Sequence, residues 1–268
     1  MIDHIEVISA FQEHTRKYDD TVSGVERKII HTFRVAKLSE RIARGLEMDR
    51  DDVDMAWFIG ILHDVGRFEQ ERRYHTFVDR DSVDHAELGA DILFRDGLID
   101  RFPTGTLETV YPSWRTLCET AVRGHNKLTL PSDLDERTRT FCRIIRDADK
   151  ADIFRVLVTT TFAERMGAST GKYTNAPQAS PEVMEYVYRH QCVPRKLIQS
   201  IFDSHIGNCC MAFELDYAVT REIVKEDGFL RELVNGTRRG EAEAWNDLQK
   251  AQMQIAREEL EKAWGMEL

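Results

Sequence analysis

Met55-Ala56-Trp57-Phe58-Ile59-Gly60-Ile61-Leu62-His63-Asp64-Val65-Gly66 is the most hydrophobic stretch of the chain, and an imidazole and a carboxylate stand side by side near its end. A helix that is apolar all round is a buried helix. A buried helix does not end in His beside Asp unless something pairs with them. A divalent metal ion is the partner that suits both groups at once. The reading then turns on whether the rest of the chain brings further ligands to the same place.

On both sides of this stretch helical spacing dominates, and strand alternation is hard to find. The pattern predicts helices over residues 3–17, 25–46, 51–65, 82–97, 113–124, 133–166, 181–190, 194–222 and 238–265. The six prolines fall near the ends of these segments. Asp51 and Ser82 are read as N-caps, and Gly66 as the residue just past a helix end. Residues 168–177, Ala-Ser-Thr-Gly-Lys-Tyr-Thr-Asn-Ala-Pro, read as a mobile loop. The expectation is an all-α protein: an N-terminal helix in 1–24, a core in 25–166 and a helical C-terminal extension in 167–268. The last helix could pack on the body or on a second subunit, so a homo-oligomer is compatible with the sequence.

Four helices carry one polar residue on an otherwise apolar face. His31 leads Val35, Leu38 and Ile42. His85 leads Leu88, Gly89 and Ile92. His125 closes the stripe of Trp114, Leu117, Cys118 and Ala121. Asp149 interrupts Cys142, Ile145, Ile153 and Val156. The ordinary reading of a lone His on an apolar face is a hydrogen-bonded core residue. Four such residues on four helices, with His63-Asp64 on a fifth, argue together for one shared metal centre. Among Asp147, Asp149 and Asp152 the stripe prefers Asp149, since Asp147 lies on a more mixed face. Asp152, one turn on, could orient a ligand or a substrate hydroxyl.

In 268 residues there is enough chain for a substantial core. The net charge of −10 and pI near 5.4 argue against general nucleic-acid binding. The five Cys are odd in number, contain no CxxC pair and include the adjacent Cys209-Cys210, which suggests reduced thiols and a cytoplasmic setting. The N-terminal residues lack the features of a signal peptide. The longest apolar run is far short of the roughly 20 residues a membrane span needs, so no membrane association is expected.

A His on an early helix, a His-Asp pair ending the next and a distant Asp after Ala form a pattern that resembles the HD-domain superfamily of metal-dependent phosphohydrolases. Here these are His31, His63-Asp64 and Ala148-Asp149, and the resemblance covers roughly residues 25–165. It implies an all-helical fold and His31, His63, Asp64 and Asp149 as ligands of one metal. Many members add two His between the pair and the last Asp for a second metal, and His85 and His125 fit those positions. The stretch from His63 to His85 resembles a bacterial HD-domain subgroup. The cyclic-dinucleotide phosphodiesterase branch differs: it has HD-x-GK, a double His and a GYP motif, where this chain has Arg67, a single His125 and no GYP.

A mixed His and carboxylate set suits Mn²⁺, Fe²⁺, Co²⁺, Ni²⁺, Zn²⁺ or Mg²⁺ without choosing among them. One or two such ions would activate water for direct attack on phosphorus, and Asp64, with two oxygens, is the natural bridge between two. Developing phosphate charge needs cationic donors. Arg67 is the first choice for that catalytic and substrate-binding role and Lys127 the second, with Arg72 and Arg73 at the entrance. Of the remaining His, His75 is singled out for its place between the His-Asp pair and His85. The expected function is hydrolysis of a small phosphorylated molecule, a nucleotide first among the classes. The competing expectation is a metal-binding regulatory or sensor module with little turnover.

Overall fold

A computed structural model describes residues 2–19, 21–105, 107, 111–237 and 240–268. Among them the regular structure is helical, with one isolated bridge between Thr174 and Ser200. The chain divides into two compact units, residues 1–149 and 150–268. No helix among the described residues is long and apolar enough to cross a membrane.

In the first unit, α1 (His4–Thr15) precedes α2 (Ser23–Gly45) and α3 (Arg50–Leu62). Every residue of α3 from Asp52 to Leu62 is buried, as its composition requires. Asp49, not Asp51, caps it by accepting from the Asp52 amide at 2.9 Å. α2 and α3 form the most extensive helix pair of the unit. They meet closely at Gly60, where a Cβ would lie 2.5 Å from the Ala36 Cα.

His63 ends α3. Asp64 takes φ −105° and ψ 14°, a sparsely populated conformation common at functional sites, and opens α4 (Val65–Tyr74). This helix was not expected, because Arg67-Phe68-Glu69-Gln70-Glu71-Arg72-Arg73 shows little apolar periodicity. Gly66 lies inside it rather than past a helix end. A Cβ there would meet the His85 carbonyl at 2.2 Å and Gly89 N at 2.5 Å. The missing side chain lets α4 lie against α5 (His85–Ala90), which brings His85 toward the His-Asp turn.

α5 is capped by Asp84, which accepts from the amides of Ala86 and Glu87, and it runs on into a π-helical turn over Asp91–Arg95. Ser82 is not the cap; its hydroxyl donates to the Val78 carbonyl. α6 (Trp114–Gly124) packs against α3 and α5 and delivers His125 at its end. α7 (Glu136–Thr159) carries Asp149, the last residue of the first unit.

The second unit holds the rest of α7, then α8 (Phe162–Met166), α9 (Pro181–Tyr188), α10 (Ile201–Cys210), α11 (Ala218–Asp227), α12 (Phe229–Asn235), α13 (Glu241–Ala244) and α14 (Asp247–Trp264). The segment read as a mobile loop contains a 3₁₀ turn over Gly167–Lys172 and the bridge to Ser200. The helix expected over 194–222 is interrupted: a capping box at Ser200 starts α10, and Leu215 and Tyr217 are extended. The last expected helix begins at residues 238 and 239, outside the described residues; α14 starts later, at a capping box on Asn246. α14 buries Met253, Ala256 and Leu260 and packs on α9, α10 and α12. All five cysteines are free.

Candidate metal centre

α2 contributes His31, the α3–α4 turn His63 and Asp64, α5 His85, α6 His125 and α7 Asp149. All six converge within the first unit. His31, His63 and Asp149 form one group able to hold an ion, and Asp64, His85 and His125 another. The Nε2 of His31 lies 3.0 Å from Asp149 Oδ1, and that of His63 lies 3.9 Å from the same oxygen.

Asp64 faces both groups with different oxygens. Its Oδ2 is 3.6 Å from His31 Nε2 and 3.5 Å from His63 Nε2. Its Oδ1 is 3.4 Å from His85 Nε2 and 3.8 Å from His125 Nε2.

Three imidazoles are oriented from behind. His63 Nδ1 donates to the Gly60 carbonyl and His125 Nδ1 to the Val122 carbonyl, each at 2.7 Å. His85 Nδ1 donates to Asp79 Oδ2 at 2.7 Å. These partners are acceptors only, so in the neutral rings the proton sits on Nδ1 and the Nε2 lone pair is bare. Two consequences test whether a cation fits. His63 Nε2 is fully buried with no hydrogen-bond partner. The Nε2 atoms of His85 and His125 approach to 3.0 Å with no proton of their own to share. Lone pairs gathered on two carboxylates are the donor set of a divalent metal ion, and the residues fit one.

The electrostatics agree. Burial lowers the His63 imidazole to a pKa of about 4, and burial with the nearby Arg67 lowers His85 to about 3, so both are neutral donors. Burial alone would raise the Asp64 carboxyl, but Lys28, His63 and Arg67 outweigh it and hold it well below the usual range. Asp149 is depressed in the same way, burial being outweighed by His31 and His63.

Arg67 lies beside the centre, its Nε 3.6 Å from Asp64 Oδ1. Its Nη1 donates to Asp79, to the Phe77 carbonyl and to Gln70 at 2.6–2.9 Å. Lys127 is held by Asp84 at 2.6 Å and Glu87 at 3.0 Å. Asp152 belongs to the second unit, where Arg155 binds both its oxygens at 2.8 Å. His75 ends α4 with φ 52°, its side chain 85 % exposed. Arg72 and Arg73 pair with Glu69.

Two residues escaped the sequence reading. Lys28 places Nζ 2.6 Å from Asp64 Oδ2, and its side chain is 20 % exposed. It precedes His31 by three residues, so helical spacing puts it on the same face, a signal that was available. Asp79 binds His85, Arg67 and Gln70 at once. It sits in a short 3₁₀ turn where no periodicity marks it.

Residues 29–153 match the family model of the HD domain. This region of the chain is an HD domain, the all-α fold of a family of metal-dependent phosphohydrolase type. No curated protein and no solved structure gives a match to the chain.

Proposed function

We propose that the chain is a metal-dependent phosphohydrolase that cleaves a phosphoester of a small molecule, with nucleotides the first class to test. The observation that carries the reading is the set of bare Nε2 lone pairs, His63 without a hydrogen-bond partner and His85 against His125 at 3.0 Å, closed around two carboxylates. His31, His63, Asp64 and Asp149 would hold one divalent ion. His85 and His125 would hold a second, with Asp64 between the two groups because its oxygens divide between them. The bound metal supplies a Lewis acid that acidifies water and polarises a phosphoryl oxygen.

The chain's own residues do the rest. Arg67, committed through Nη1 to Asp79, fixes the turn that carries Asp64 rather than reaching outward. Lys28 is the cation placed to meet the phosphoryl group: once the Asp64 charge is matched by a metal, its ammonium is released on a flexible stem at a partly exposed position. Lys127 and Asp152 are already paired and serve less well as substrate contacts.

The test is a screen of nucleotides and phosphorylated metabolites with protein reconstituted in Mn²⁺ or Co²⁺. Metal-dependent phosphate release is expected, and it should fall in Lys28→Ala while metal content is kept. Stoichiometric metal without turnover on any compound would favour the regulatory module instead.

A further inference from the structure

The two long faces of α4 look in different directions. Arg67 and Gln70 face Asp79 and the metal centre. Helical spacing puts Glu69, Arg72 and Arg73 on the opposite face. There they line an open cleft of about 620 Å³ with Lys17 and Tyr18 near α1, and Ile92, Leu98 and Arg101.

Charge in this cleft is unbalanced. Arg72 and Arg73 share a single carboxylate, Glu69, at 2.5–2.9 Å, and Tyr18 also donates to it. Burial does not prevent these Arg bonds, that of Arg72 first, from holding Glu69 at a pKa of about 2, so it is fully ionised. Asp96, the other acid in the lining, is paired with Arg95. Lys17 and Arg101 have no ion pair among the described residues; Lys17 only approaches the Tyr18 ring, at 5.0 Å. Four cations therefore face one available carboxylate. The wall includes His14, 7 % exposed, whose Nε2 is buried without a hydrogen-bond partner. Ile92, Leu98 and Tyr18 make the remaining wall apolar.

We propose that this cleft is a second binding site, separate from the metal centre, for a small phosphorylated anion carrying at least two negative charges. Guanidinium forks match phosphate oxygens in geometry as well as charge. The volume lies in the range of a small-molecule site and exceeds what a bare phosphate fills, so the apolar wall would take an organic portion of the ligand. The site needs no metal, and this separates it experimentally from the reaction centre.

The experiment is calorimetric titration of chelator-treated, metal-free full-length protein with inorganic pyrophosphate at low ionic strength. Saturable binding near one equivalent is expected. Lys17→Ala/Arg101→Ala should weaken it by about tenfold or more. Both side chains are exposed, so the fold should survive, as circular dichroism would check. Lys28→Ala, at the metal centre, should leave it unchanged. Absence of saturable binding, equal binding by the double variant, or loss of binding in Lys28→Ala would each overturn the proposal.

Discussion

Both units bury polar side chains, but only the first gathers unfinished ones around a single point. In the second unit Asp203 accepts from the amides of Ser180, Gln199 and Ser200 at 2.8–3.2 Å. His205 Nε2 meets the Leu233 carbonyl at 3.1 Å, and His190 meets Glu259 at 2.6 Å. Each of these three groups has a protein partner suited to its chemistry. In the first unit His63, His85 and His125 use Nδ1 on acceptors and turn bare Nε2 atoms toward one another and toward Asp64. A buried imidazole is thus no sign of a metal in itself. What distinguishes the two regions is unsatisfied bonding capacity gathered in one place, against the single buried Thr220 hydroxyl left without a hydrogen-bond partner among the described residues of the second unit.

The largest effect that would sharpen this contrast is in the paired variants Asp64→Asn and Asp203→Asn. Asp64 faces four imidazole nitrogens, so Asp64→Asn should lose bound metal and lower turnover by more than the roughly 100-fold expected for a residue acting behind the ligands. Asp203→Asn should lower the melting temperature and leave metal content unchanged. Elemental analysis and thermal melts on both variants check this, and full metal content in Asp64→Asn would break the contrast.

A smaller difference separates two carboxylates on one helix. Asp147 is fully buried, whereas the Asp149 side chain is 16 % exposed, so burial alone would select Asp147. Asp149 lies 3.0 Å from His31 and 3.9 Å from His63 and joins them in one ligand group. Asp149→Asn should reduce metal affinity more than Asp147→Asn, whose defect should appear in thermal stability. Metal titration of the two proteins decides, and the reverse order of affinities would mean the wrong carboxylate has been chosen.

What was legible in the sequence follows the same division. Helices α2 and α3 and the inward position of His31, His85 and His125 were readable because apolar neighbours at helical spacing frame them. α4 was not, because its place depends on the close approach of Gly66 to Gly89 and not on its own pattern. The break between α10 and α11 lacks Gly or Pro to mark it, whereas the start of α10 was readable from the Ser200 and Asp203 capping box. Arg67 lies beside the centre, and its commitment to Asp79 comes from a residue of a short 3₁₀ turn that no periodicity reveals.

Asp79 supplies the next effect in size. It holds His85 Nδ1 from behind and so fixes which nitrogen faces Asp64. Asp79→Asn should weaken metal binding by about 10–100-fold, as loss of such orienting groups does, without removing the ion bound by His31, His63 and Asp149. One tight equivalent that remains, with a second that weakens, is the expected titration. Unchanged binding of both would show that the His85 tautomer is set elsewhere.

The smallest effect concerns acid. Burial lowers His63 to about 4, His85 to about 3 and, in the second unit, His205 to about 4. Each takes up a proton near 6.5 when unfolded, so each contributes stability that is present above pH 6.5 and lost as pH falls toward 4. Metal-free protein should therefore melt at lower temperature on acidification, with contributions from both units. Saturating metal adds a term that belongs to the first unit alone. At 100 times the dissociation constant it is worth about 2.7 kcal/mol, or roughly 5–10 °C in melting temperature. Protons compete for the same Nε2 lone pairs, so this increment should shrink between pH 6.5 and about 4. His205→Gln should soften the acid loss of the metal-free protein and leave the metal increment intact, while His63→Gln should remove the increment. Melts with and without Mn²⁺ across this range measure both, and an increment that persists undiminished at pH 4 would place the metal on groups other than these imidazoles.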